Sequence, residues 1–163
     1  SLQGHNYLIP VDANLASSRT VNYELFELDQ IISSLDDEAR TTIIIMDACR
    51  NNPFSTMSAS TRAADPGAGL TGYSRVSTGM LIAFATKPGD VAEDGNGEHS
   101  PFTRALLRHL PTPDLEVLDM FRRVRVDVIR ETDNGSSRQT PWENNSLTEN
   151  VYLGGQTGKA TSN

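Results

Sequence analysis

The chain has 163 residues, with 14 Lys+Arg against 21 Asp+Glu and a formal net charge of −7. That length suits one domain, and the acidic balance argues against nucleic acid as a partner, because no global basic surface exists to hold its backbone. No apolar run reaches the roughly 18 residues of a membrane span, and the single cysteine excludes both an intramolecular disulfide framework and a thiolate metal cluster.

Hydrophobic residues make up 37% of the chain, enough for a core. Residues 1–6 carry neither the basic n-region nor the apolar h-region of a signal peptide. A strand-like segment follows almost at once, so the chain reads as one piece of something longer. A cytoplasmic address is compatible with these features.

In chain order, Tyr7-Leu-Ile-Pro-Val11 reads as a short extended segment, with Pro10 placing it at an edge or turn. Val21, Leu25, Leu28, Ile32 and Leu35 recur at alternating steps of four and three, which predicts a helix over 21–35. Asp36-Asp-Glu38 closes it. Thr41-Thr-Ile-Ile-Ile-Met46 is apolar and β-branched, as in a strand covered on both faces. Residues 50–79 form a polar loop of about thirty residues, a length that is uncommon inside compact domains. Met80-Leu-Ile-Ala-Phe-Ala85 is a second buried-type strand, and residues 87–97 are again loop.

Ser100 followed by Pro101 has the form of an N-cap and first helical position. Phe102, Leu106 and Leu110 continue that helix until Pro111 and Pro113 break it. A second helix is predicted over 114–131, with Val117, Phe121, Val124 and Val128 buried and Arg122, Arg123, Arg125 and Arg130 facing water. The acids interleaved with those arginines mark a solvated face rather than a nucleic-acid patch. Asp133-Asn-Gly135 turns the chain, residues 149–153 read as a last strand, and Gly154–Asn163 as a mobile tail. Apolar strands separated by helices predict an α/β fold with a mostly parallel sheet.

Cys49 follows the carboxyl end of the first buried strand, where open α/β sheets place their sites. A thiolate there is a strong nucleophile when a cation or base stands beside it. A buried structural cysteine fits the same position, since unpaired cysteines are among the most buried residues. Three histidines are available as partners. His109 falls late in a helix, His99 sits in a loop at a helix start, and His5 lies upstream of Cys49, just before a strand.

Asp47-Ala-Cys-Arg-Asn-Asn-Pro-Phe54 closely resembles the cysteine motif of the bacterial caspase-like peptidases, relatives of metacaspases and paracaspases. Asn6-Tyr-Leu-Ile-Pro-Val-Asp-Ala13 resembles the segment that follows their Gly-His motif. Gly79 to Ala92, Ser100-Pro-Phe-Thr-Arg-Ala-Leu-Leu107 and Arg138-Gln-Thr-Pro-Trp-Glu143 resemble later segments of the same family, in the same order.

The resemblance implies a caspase-like three-layer α/β sandwich with a mostly parallel central sheet, its N-terminal part lying outside this chain. The domain then covers residues 1–153, with 154–163 a flexible tail. Cys49 matches the nucleophile. Asp47 matches the acid that lines the pocket for a basic residue before the scissile bond, and Asp90 is a second candidate for that pocket. His5 aligns with a variable position between Gly4 and Asn6 rather than with the family histidine, so an upstream segment or a companion chain is expected to supply the base. Arg62 and Arg75, in the long loop, are candidate autocleavage positions.

The implied activity is a cysteine endopeptidase cutting peptides or proteins after Arg, or Lys, with no cofactor and no metal. No stretch has the ligand spacing of a dedicated calcium loop. The alternative is a catalytically inactive caspase-like scaffold or partner-binding domain.

Overall fold

The computed structural model describes residues 6–13, 25–35, 40–48, 77–87, 90, 92, 95, 97–135 and 138–158. The elements run β1 (Tyr7–Leu8), β2 (Phe26–Glu27), α1 (Leu28–Ser34), β3 (Thr42–Met46), β4 (Met80–Phe84), α2 (Pro101–His109), α3 (Val117–Thr132) and β5 (Trp142–Asn145).

β4 lies between β3 and β5 in a three-stranded sheet, and all five of its residues are buried. Side chains alternate between the two faces of a strand, so an uninterrupted apolar run must be covered twice. Leu81, Ala83 and the following Ala85 point into a cluster with Phe102 and Ala105 of α2 and Val117, Met120, Phe121, Val124 and Val128 of α3. Met80, Ile82 and Phe84 point the other way, onto Leu28 and Ile32 of α1. The result is three layers: α1, the sheet, then α2 with α3. The predicted buried stripe of α3 is found as expected, with Met120 added to it.

The sheet corrects the expectation of mostly parallel strands. β3 and β4 are parallel, from Thr42 opposite Met80 to Met46 opposite Phe84. β5 runs antiparallel to β4, and β1 antiparallel to β2, so two of the three pairings are antiparallel. Helix-separated apolar runs foretold the β3–β4 pair. β5 has no such signal: Trp-Glu-Asn-Asn is polar, and its place is fixed by the return of the chain from α3. The final strand expected at 149–153 does not form, and residues 142–145 take that role.

Two further differences have local causes. The helix predicted over 21–35 begins only at Leu28. Phe26 and Glu27 pair instead with Leu8 and Tyr7, and the Leu28 N–H donates to the Asn6 carbonyl at 2.8 Å. Strand pairing there overrides a helical spacing that Leu25 and Leu28 also satisfy; Val21 and the acidic bend at 36–38 lie outside the described residues. β3 is only half-buried, and Ile45 is exposed, because β3 is an edge of the described sheet and β4 its centre.

The Ser100 hydroxyl accepts the Thr103 N–H at 3.0 Å and Pro101 opens α2, as expected. The Glu116 carboxylate caps α3 by accepting the Leu118 and Asp119 N–H groups. Residues 154–158, assigned from sequence to a tail, are tied to the turn before α3. The Asp114 N–H donates to the Gly155 carbonyl at 2.9 Å, and the Thr157 N–H to Asp114 Oδ1 at 2.9 Å. A side chain at Gly154 would collide with the Thr112 backbone carbonyl, so glycine is required there.

Phe121 is buried against β4 and Phe26 is 61% exposed. Phe121→Ala is expected to lower unfolding stability by about 3–5 kcal/mol in urea denaturation, and Phe26→Ala by roughly 0.5 kcal/mol or less.

Candidate functional site

The parallel pairing aligns the carboxyl ends of β3 and β4, and the Ala85 N–H donates to the Met46 carbonyl at 3.0 Å. Asp47 and Ala48 leave the sheet at that end. Asp47 is exposed. Its Oδ2 accepts two hydroxyl protons, from Ser100 and from Thr103, both at the start of α2. The same Ser100 oxygen accepts the Thr103 N–H, so three hydrogen bonds close a ring around the carboxylate. The positive end of a helix dipole favours an anion at this position.

The hydroxyl partners were not anticipated. The sequence marked Ser100 as a cap and Thr103 as part of a family-like segment, but sequence spacing does not say that the cap meets a residue more than fifty positions earlier. Parallel strand order brings them together. The neighbouring end of β4 is held by Gln139, whose side-chain amide donates to the Ala85 carbonyl at 2.8 Å. The Gln139 N–H in turn donates to Thr132 Oγ1 at 2.9 Å.

Cys49, His5, Arg62, Arg75 and the rest of the loop 50–76 lie outside the described residues. Asp90 is placed by its own turn: its N–H donates to the Lys87 carbonyl at 3.2 Å, and its carboxylate pairs with Lys87 Nζ at 3.3 Å. Asp47 is thus brought to the α2 N-terminus, while Asp90 pairs within its own loop.

Of the other two histidines, His109 is held through its ring and His99 through its backbone only. The His99 carbonyl accepts from the Arg104 guanidinium at 2.7 Å, and the residue is exposed. His109, in the last turn of α2, shares a hydrogen bond at 2.9 Å between its Nε2 and Asp127 Oδ2 of α3. Arg108 donates to the same oxygen at 2.6 Å. Burial raises the Asp127 pKa, but the His109 and Arg108 hydrogen bonds and the Arg108 charge outweigh it and hold the carboxyl below its ordinary value. A shallow cavity of about 430 Å³ opens beside this cluster, lined by His109, Asp119, Arg122, Arg123, Val126 and Asp127.

Arg125 corrects the expectation that all four arginines of α3 face water. Its Nε donates to the Pro141 carbonyl at 2.9 Å and its guanidinium pairs with Glu143 of β5. Among the described residues no group of three or more His, Cys, Asp or Glu side chains gathers as a metal site requires. No described helix is long and apolar enough to cross a membrane.

The family model of the caspase domain matches residues 2–152 of this chain. Among solved structures, the crystal structure of caspase-1 from Spodoptera frugiperda is similar, with a TM-score of 0.57 and 17% sequence identity. The similarity covers 84% of this chain and 57% of that one, and at this identity it speaks for the fold alone. No curated protein sequence matches the chain.

The Asp127 linkage has a defined sign. A carboxyl depressed in the folded state stabilises above its unfolded pKa of about 3.9 and loses that contribution as pH falls through the folded value. Asp127→Asn should therefore destabilise the chain at pH 6 by about 1–2 kcal/mol. Denaturation followed from pH 6 downward should show that difference shrinking only below about pH 4.

Proposed function

The chain belongs to the caspase domain family, and from that premise we propose that on its own it is a catalytically silent binding module, presenting Asp47 to a basic side chain of a peptide or protein. The observation that supports silence is the placement of His109 in the last turn of α2, at the opposite end of that helix from Ser100 and Thr103, which hold Asp47. His99 lies exposed before α2, and His5 aligns with a variable position rather than with a catalytic motif. In this reading the base for a cysteine nucleophile comes from outside this chain.

A second reading is favoured by Asp47 at the carboxyl end of β3, two residues before Cys49. In it, the full-length protein is a cysteine endopeptidase of the bacterial metacaspase and paracaspase type, with its histidine on an upstream segment or companion chain. That histidine takes the thiol proton, and the Cys49 sulfur attacks the carbonyl carbon of the scissile peptide bond. The leaving amine takes the proton from the imidazolium as the acyl-enzyme forms, and water then releases the acid and regenerates the thiol. The Cys49 N–H is suited to hold the oxyanion. Asp47, with Asp90 as a second acid, selects Arg or Lys before the scissile bond. Arg62 and Arg75 are the self-cleavage positions in this reading.

A fluorogenic peptide ending in Arg separates the two states. The chain alone should show no turnover above buffer, and the full-length protein should cut the Arg peptide but not its Asp counterpart. Cys49→Ala should abolish that cutting. Turnover by this chain alone that disappears in His109→Ala would overturn the binding-module reading. In the full-length protein, mass spectrometry should find cleavage after Arg62 or Arg75, and its absence from Cys49→Ala.

A further inference from the structure

The ring of hydrogen bonds around Asp47 does more than hold a side chain. An ionised carboxylate has about four lone-pair sites, two on each oxygen. Asp47 Oδ2 already accepts from two hydroxyls, those of Ser100 and Thr103, so both of its sites are filled. A guanidinium that binds a carboxylate side-on needs one site on each oxygen, which is the source of its advantage over an ammonium. Here that fork meets an oxygen with no room. Oδ1 remains as the docking atom, and through a single oxygen a compact ammonium does as well as a planar guanidinium.

We infer that Ser100 and Thr103 are specificity-positioning residues: by filling Oδ2 they turn Asp47 into a one-oxygen acceptor that takes lysine and arginine side chains nearly equally. The inference rests on the reading of Asp47 as the acid that meets a basic side chain, and it holds whether or not the bound peptide is cut. It explains a choice of residue types. A hydroxyl at the cap position is common to many helices, but a second hydroxyl three residues on, aimed at the same carboxylate oxygen, is not needed for capping. The backbone N–H of Thr103 already satisfies the Ser100 cap. The Thr103 hydroxyl therefore serves the acid and not the helix.

The test uses the full-length protein carrying Cys49→Ala, so that peptides bind without being cut. Calorimetry measures N-acetylated tripeptide amides ending in Arg, Lys or the neutral isostere citrulline. Arg and Lys peptides should bind within about threefold of each other, because a single-oxygen contact forgoes the bidentate advantage. Citrulline should not bind, and Asp47→Asn should lose both cationic peptides. Thr103→Val vacates one site on Oδ2 and should shift the ratio to about tenfold in favour of Arg. Thr103→Ser, which restores the hydroxyl, should return it to the original ratio.

A purely structural role for Thr103 moves both affinities together and leaves their ratio alone. Thr103→Ala removes the same hydroxyl and stands in if the valine variant does not fold. The inference is overturned if the parent already prefers Arg by about tenfold, or if the ratio is unmoved in Thr103→Val and Thr103→Ala while Asp47→Asn still abolishes binding. If Asp47→Asn binds as before, or if neither cationic peptide binds the parent, the reading of Asp47 itself has failed and the inference falls with it.

Discussion

The fold depends on β4 being buried on both faces. Met80, Ile82 and Phe84 cannot be covered by the same helices as Leu81 and Ala83, because successive side chains point in opposite directions. One strand therefore requires two helical layers. It also fixes where the candidate site lies. β3 pairs parallel to β4, so both strands end on the same side, and Asp47 leaves the sheet beside Ala85. The Gln139 amide, itself buried, holds the Ala85 carbonyl and keeps that end of β4 from fraying. The apolar centre and the polar edge of the site are thus one construction.

Much of this was legible in the sequence, and the limits have physical causes. β4 and the stripe Val117, Phe121, Val124 and Val128 were readable because burial there is decided by long, regular apolar patterns. The Ser100–Pro101 start of α2 was readable because capping is a local interaction. β5 was not: Trp142 to Asn145 carries no strand pattern and is held by pairing with β4 and by Arg125 gripping Glu143. The early start predicted for α1 failed for a related reason. Phe26 and Glu27 have a partner strand in Tyr7 and Leu8, and non-local pairing decided their conformation. At the candidate site, the position of Asp47 followed from the end of the apolar run Thr41–Met46, but its hydroxyl partners did not, since nothing local links residue 47 to residues 100 and 103.

The histidines show how the same physics separates structure from chemistry. A catalytic imidazole must be able to exchange a proton with a nucleophile. His109 instead spans two helices, sharing Asp127 with Arg108. Arg130 approaches the same carboxylate at 3.9 Å. A carboxylate shared by these three side chains is a fixture that ties α2 to α3.

α2 is anchored at both ends by carboxylates, in the sense that its dipole favours. Asp47 sits at the positive N-terminal end, and Arg108 and His109, at the negative C-terminal end, carry the contacts to Asp127. The two acids belong to different layers, one to the sheet and one to α3. The helix therefore joins the end of β3 to the outer layer through polar contacts, while Phe102 and Ala105 press it onto the apolar core beneath. A shift of α2 along its axis would pull the Ser100 and Thr103 hydroxyls off Asp47 and strain the grip on Asp127 at the same time. The acid at the sheet's edge is in this way held by the packing of a helix whose far end lies at the other side of the layer, and its geometry is a property of the whole sandwich rather than of the turn that carries it.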